Sequence, residues 1–579
     1  MKKTVNILLA LIALTSCEKW LDKYPQSSLT ETEFFRTEAD LQAFSNKWYT
    51  MFPGESLYEE AVDNYALQSL PDELNGSRVV PSSGGGWSWG TLRDVNTLLE
   101  ENACEDPEIK ARYDALAHFF RAWFYFEKVI RFGDVPWFDH QLGSASDDLY
   151  RPRDSREFVM QHILEDLDDA IAHLSTKKDV YRVTKWTALA LKSRVCLFEG
   201  TFRKYHDISY PEHTWQWYLE QGAAAAKEFI ETSGYGLRTA DGKGLSYLTL
   251  FAQDNADPTE VILARDYSAA VGVKHNGTFY TLGNYGNPGM TRKIVASYLC
   301  SDGSRFTDKA GWETMTFSQE TKNRDPRLSQ SIRTPGYTRF GSTKKEAPSF
   351  SCCVTGYQSI KYVQSVSAGA DGYGLSYNDL IIMRSAEVYL NYAEALAELG
   401  TLKQSDIDMS IKKLRDRVGM PNLSLQASND NPDPFLSAPE TGYPGVSGAN
   451  KGIILEIRRE RTIELAKEGF RYWDMMRWKE GQAFTQEFKG MYFPGEGDYD
   501  LDGDGTLDVT LYSGTKPSTG ATLKLKLGED IVLDGGTSGC VLPLKGKKGK
   551  WDEERDYYYP IPSNDISLSK GTLKQNPKW

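Results

Sequence analysis

The sequence predicts a predominantly α-helical fold of successive antiparallel helices, supporting a loop-rich half and a few short strands. Three observations predict it. Long stretches repeat apolar residues every three or four positions, the period of a one-sided helix. Gly400, Gly419 and Gly481 fall where such stretches stop. Between them, residues 234–377 and 421–450 are dominated by Gly, Pro, Ser, Asn and Asp, which break periodic structure.

At the N-terminus, MKKTVNILLALIALTSC has a basic start, an apolar run too short to span a bilayer, and small residues before a cysteine. That is the pattern of a lipoprotein export signal, with residues 1–16 removed and Cys17 acylated, so that residues 17–579 form one body tethered to a membrane. No later stretch reaches the roughly 18 unbroken apolar residues of a spanning helix.

The first helical block covers about residues 108–232. It contains KARYDALAHFFRAWFYFEKVI, SREFVMQHILEDLDDAIAHL, VTKWTALALKSRVCLFEGTF and WQWYLEQGAAAAKEFIETSG, each an expected helix. The second block, about residues 378–481, holds NDLIIMRSAEVYLNYAEALAELG, the shorter DIDMSIKKLRDRVG, and GIILEIRRERTIELAKEGFRYWDMMRWKEG. Helix pairs on short turns are the unit of an α-solenoid, although no strict period of about 34 residues is visible. Alternation over residues 522–527 predicts a hairpin near the C-terminal end.

Two of these helices carry polar stripes. Glu460, Glu464, Glu468, Arg471, Asp474 and Arg477 recur along one helical face, as do Arg384, Glu387, Asn391 and Glu394. Ion networks between packed helices, or a solvated face, account for them better than a catalytic acid and base.

The formal net charge of −13, made more negative by loss of Lys2 and Lys3 on processing, argues against nucleic acid and against polyanions held by a general basic field. Besides Cys17, the chain has Cys104, Cys196, Cys300, Cys352, Cys353 and Cys540. Export permits disulfides among them without requiring any, and their spacing decides no pairing. No Cys/His set has zinc spacing.

Several segments, in order, resemble the SusD/RagB family of outer-membrane glycan-binding lipoproteins. They are WLDKYPQSSLTETEFFRTEADL, WSWGTLRDVNTLLE, ALAHFFRAWFYFEKVIRFGDVPWFD, RVTKWTALALKSRVCLFEG, NRDPRLSQSI, MRSAEVYLNYAEALAELG, IRRERTIELAKEGFRYWDMMRW and YYYPIPSNDISLSKGTLKQNPKW. The resemblance implies tetratricopeptide-like helix pairs as the scaffold. It also implies a surface protein, anchored in the outer membrane and facing the exterior, that captures oligosaccharide above a TonB-dependent SusC-like transporter.

A sugar ring presents an apolar C–H face rimmed by hydroxyls, so its reader combines a flat aromatic ring with carboxylate, amide or guanidinium partners. PDELNGSRVVPSSGGGWSWG offers both. Gly84, Gly85 and Gly86 are expected to leave Trp87 and Trp89 uncovered, with Asp72, Glu73 and Arg78 just upstream; packing at the start of the next helix competes for Trp89. Aromatic platforms from the loops before NRDPRL are implied by the resemblance, which nominates Tyr280, Tyr285 and Trp312. In DYDLDGDGTLD, the residues Asp500, Asp502, Asp504, Thr506 and Asp508 approximate the first nine positions of a calcium loop, although Leu511 stands where a bidentate Glu is required. The expected role of Ca2+ is structural, and no catalytic cofactor is expected.

The expectation is therefore a non-enzymatic glycan-capturing lipoprotein. The resemblance leaves a peptide ligand open. The residues also leave open a surface glycosidase, which needs two carboxylates about 5 to 9.5 Å apart, and a purely structural scaffold.

Overall fold

The computed structural model describes residues 34–54, 62–283 and 285–579. The expected export signal and the acylation site Cys17 lie outside the described residues. Among the described residues no helix is long and apolar enough to cross a membrane.

The first block is α1 (Gly90–Glu101), α2 (Pro107–Phe132), α3 (Arg156–His173), α4 (Lys185–His206) and α5 (Trp215–Thr232), each packed on the next. Local chemistry explains the boundaries. Asp106 accepts the backbone N–H groups of Glu108 and Ile109 at 2.9 and 3.2 Å ahead of Pro107, which starts α2; Gly133, at φ 73°, ends it. A cap of this kind contributes about 1 kcal/mol. Phe119, Phe120, Ala122, Trp123 and Tyr125 are buried on several faces of α2, so α2 is the axis of the largest core cluster, and burial around its circumference holds it more firmly than propensity does.

The second block is α6 (Ser385–Leu399), α7 (Ile411–Val418), α8 (Lys451–Glu464) and α9 (Arg471–Arg477). Gly400 and Gly419 cap α6 and α7 in the left-handed conformation. α6 lies against α4, α5 and α8, joining the two blocks.

Besides further short helices, the described residues hold nine short strands: β1 (Tyr65–Ala66), β2 (Val261–Arg265), β3 (Gly289–Met290), β4 (Leu380–Arg384), β5 (Tyr492–Phe493), β6 (Gly497–Tyr499), β7 (Val509–Tyr512), β8 (Leu523–Lys526) and β9 (Gly539–Cys540). β1 pairs with β3, β2 with β4 and β5 with β9, all antiparallel, while β6, β7 and β8 form a three-stranded sheet.

Four expectations about elements are corrected. LIIMR is strand β4 rather than the start of α6, because five consecutive buried residues satisfy a two-sided strand as well as a helix. The segment expected as one long helix from residue 452 breaks between α8 and α9, where Lys467 and Gly469 take φ 61° and 81°. DIDMSIKKLRDRVG breaks at Ser410, leaving Gln404–Met409 and α7 as separate helices. The alternating residues 522–527 contribute β8, which pairs with β7 in parallel and so is no hairpin. The six described cysteines are all free thiols.

The polar stripes form a buried ion network. Arg384 donates to Glu260 and Glu464 at 2.8 Å and to Glu468 at 2.7 Å, and Glu464 also accepts from Arg417 at 2.7 Å and Arg327 at 3.1 Å. Burial alone would push the Glu464 carboxyl up; Arg417, Arg384 and Arg327 outweigh it and hold the group far below the usual carboxylate range. These charges therefore clamp β4, α7 and α8 together rather than face a substrate.

Candidate functional site

Asp63, just before β1, and Thr291 and Arg292, just after β3, line a cleft of about 580 Å³. Beyond β3, Arg292 is buried and donates to the backbone carbonyls of Trp312 and Glu313 at 3.2 and 3.1 Å, which fixes the turn Trp312–Thr314. The Trp312 indole is half-buried between Phe306 and Phe435, with ring centres 6.0 and 5.7 Å away and both contacts edge-on. Phe435 is presented by a single turn that Asp433 caps by accepting the Phe435 N–H at 2.7 Å. Tyr492, from β5, lines the same cleft.

Polar groups surround these rings. Glu313 and Glu440 are exposed, and Gln486, Glu487 and Lys489 line the cleft with them. Lys489 pairs with Asp534 at 2.8 Å. Asp63 accepts from Lys293 at 2.8 Å and Arg471 at 2.6 Å; burial would raise its carboxyl, and the two cations hold it far below the usual range. The arrangement supplies apolar ring surface, carboxylate and amide acceptors, and fixed donors within one concavity. That is the donor and acceptor set of a polyhydroxylated ligand.

The other expected ligand residues fall in separate places. Tyr280 is buried and so is no open platform, because it packs under Tyr285, with ring centres 5.0 Å apart and 28° between planes; Tyr285 itself is 57% exposed. Tyr373, 73% exposed, meets Phe279 beside them, so an open aromatic shelf exists on the loop-rich side, before β3. It does not line the Trp312 cleft.

The expectation that Trp87 is uncovered is corrected. Its indole is 5% exposed, wedged edge-on against Phe132 and Trp89 at 4.8 and 5.3 Å. The glycines have the opposite effect to the one expected. Their positive φ angles turn the chain inward, and the Gly85 and Gly86 carbonyls accept from Arg131 and Lys128, which ties the loop down over α2. A side chain at Gly86 would meet Arg131 Nε at 2.8 Å. Trp89 is half-buried against Phe124, Tyr125 and Phe138, and with Trp87 it edges a second cavity of about 550 Å³.

Arg78 likewise is buried, paired with Asp556 at 3.0 Å and stacked 4.6 Å from the Tyr559 ring centre, while Glu73 accepts from the Tyr559 hydroxyl at 3.2 Å. Asp72 is exposed and accepts from Ser77. Arg78 and Glu73 fasten the C-terminal segment rather than face a ligand.

In the loop between β6 and β7, oxygens of Asp500, Asp502 and Asp504 lie within 4.8 Å of one another. Asp500 already accepts the N–H groups of Gly503 and Gly505, and Asp504 that of Thr506. Asp508 accepts from Leu501 and Asp502, and Leu511 is buried in β7. Burial, then the neighbouring Asp charges, raises the carboxyls of Asp502 and Asp508. The donor set suits a hard cation with an incomplete shell.

Phe435, Tyr492 and Arg292 were not singled out from the sequence. Phe435 lies within residues 421–450, which composition marks as ligand loop, but only packing shows it beside Trp312.

Comparison with known proteins gives two family matches. Residues 249–579 match the model described as SusD family, and residues 19–197 match one described as starch-binding associating with outer membrane. SusD-like protein P38 of Formosa agariphila is 24% identical over 515 residues, covering 82% of this chain and 90% of that protein. A SusD-like protein from Bacteroides fragilis superposes with a TM-score of 0.68 at 22% identity, over 96% of this chain and 100% of that one. A second structure from the same species, described as a SusD-like carbohydrate binding protein, gives 0.68 at 20% identity over 93% and 99%. The helical scaffold, the strand-braced loop half and a family match over more than half the chain converge: the chain belongs to the SusD family.

Proposed function

We propose that this chain is a cell-surface lipoprotein that binds oligosaccharide in the Trp312 cleft and passes it, uncut, to a TonB-dependent SusC-like transporter in the outer membrane. The observation that carries the reading is the cleft itself, in which Trp312, Phe435 and Tyr492 share one concavity with Glu313, Glu440 and Gln486. The exposed Tyr285, stacked on the buried Tyr280, provides a second open ring surface on the same loop-rich half. Support for carbohydrate comes from the starch-binding description of the matching N-terminal family model and from the carbohydrate-binding relative. The acylated Cys17 supplies the anchor, and the Asp500 loop holds a structural Ca2+.

Stacking and a few hydrogen bonds against hydrated sugars leave a modest net affinity per site, so retention depends on tethering beside the transporter. The test is a glycan array on wild type and Trp312→Ala. Binding of one glycan class, weakened about tenfold in the variant, is the expected result, equal to about 1.4 kcal/mol of lost stacking. Equal binding by both proteins removes the cleft from the reading, and new reducing ends on incubation would make the protein a hydrolase.

A further inference from the structure

A groove of about 550 Å³ runs beside α1, between residues 136–151 and residues 565–573. Trp89, Leu92, Phe138, Leu142, Leu568 and Leu573 give it apolar walls. Leu149 and Leu568 are 45% and 73% exposed, so ring and aliphatic surface lies open to water along one hollow. Single exposed leucines are ordinary, but an open apolar groove marks a surface that something covers. Two charges in the groove are also unanswered. Arg151 pairs with Asp154 at 3.3 Å, and His140 faces Asp139 and Asp148 at 2.9 and 3.3 Å. Among the described residues the exposed Arg93 and the half-buried Asp565 have no ion-pair partner. The surface that fits is therefore apolar and carries an acid and a base.

The chain itself supplies such a surface nearby. The described residues begin at Phe34, and the Phe35 carbonyl accepts the N–H of Ala103 at 3.1 Å, just past the end of α1. The groove follows α1 from there. Glu100 accepts the N–H of Gln141 at 2.7 Å, and Asn96 donates to the carbonyls of Phe138 and His140 at 3.0 and 3.2 Å. From Ala103 to Asn96 is about 10 Å along the helix axis, at roughly 1.5 Å per residue. An extended chain covers about 3.3 Å per residue, so residues 17–33 reach the whole groove with slack.

We propose that the segment WLDKYP, residues 20–25, docks in this groove and fills it. Trp20, Leu21 and Tyr24 meet the apolar walls, Asp22 meets Arg93 and Lys23 meets Asp565. Pro25 restricts Tyr24 to an extended backbone, which suits a hollow running along a helix. A neutral or purely apolar occupant leaves both charges unanswered. With Cys17 acylated, docking leaves Glu18 and Lys19 as the whole tether, so the groove face of the body is held toward the membrane. That consequence rests on the lipoprotein reading; the docking does not.

In the full chain, trypsin cleavage after Lys23 reads the docking, because cleavage follows the population of the open segment. Trp20→Ala, Leu568→Glu and Arg93→Glu are each expected to speed it about tenfold over wild type. Leu568 and Arg93 are exposed, so neither change disturbs the fold. A second readout places the photocrosslinker p-benzoylphenylalanine at position 24. Crosslinks within the same chain to residues 89–96, 136–151 or 565–573 are expected, lowered about tenfold by Arg93→Glu and restored when Asp22→Arg is added to it. Neither readout depends on acylation. Equal cleavage of all four proteins, or crosslinks to other parts of the body or to a second copy, overturns the proposal.

Discussion

Arg292 holds Trp312 from beneath. Its guanidinium carbon lies 5.9 Å from the indole ring centre, while its N–H groups bind the carbonyls of Trp312 and Glu313 and face Glu320 at 3.5 Å. A single buried cation thus fixes both the backbone and the ring of the cleft turn.

Arg292→Lys should therefore weaken glycan binding although residue 292 is only a positioning residue. An ammonium cannot span two carbonyls and a carboxylate in the same fork, and the turn should relax. The expected loss is about three- to tenfold in affinity, read by calorimetry, with the fold intact by circular dichroism. Unchanged affinity would show that the turn needs no such brace.

Trp87→Ala should separate from Trp312→Ala. Trp87 is enclosed by Phe132 and Trp89, so its removal leaves a cavity and costs about 3 to 5 kcal/mol of stability, visible as a lower denaturation midpoint. Glycan affinity, measured where the variant is folded, should hold. A large affinity loss at unchanged stability would return Trp87 to the ligand.

Acid should unfold the protein through its ion network. Glu464 and Asp63 have folded pKa values below their unfolded ones, so their stabilising contribution is complete above about pH 4 to 5 and drains away as pH falls toward the folded values. Melting temperature should drop steeply below that point. Glu464→Ala, which leaves Arg384 and Arg417 with only Glu260 shared between them, should cost about 3 to 5 kcal/mol at neutral pH.

Calcium should raise the melting temperature and a chelator should lower it, with Asp502→Asn abolishing the difference. Asp502 is buried beside three other acids, and neutralising it removes both repulsion and a ligand. Identical melts with and without chelator would leave the loop as a turn held by its own backbone bonds.

Periodicity located α2 to α5 because each buries an apolar stripe, a property local to its own residues. The break between α8 and α9 escaped it, since Lys467 takes a left-handed angle that no propensity signals. LIIMR escaped for another reason: its pairing with residues 261–265 is decided by a partner more than a hundred positions away. Composition marked the loop-rich stretches, and the family resemblance nominated Trp312 within them. Composition misjudged Trp87, where triple glycine reads as openness but in the structure lets Arg131 and Lys128 draw the loop onto α2.

What the sequence alone determined was the export pattern, the helical blocks, the calcium-like loop and the family, because each depends on neighbours within a few turns of chain or on ordered segments. Which aromatic rings stay open and which acids are paired were decided only by tertiary packing. Exposure and pairing belong to the space between elements, and local spacing carries no record of that space.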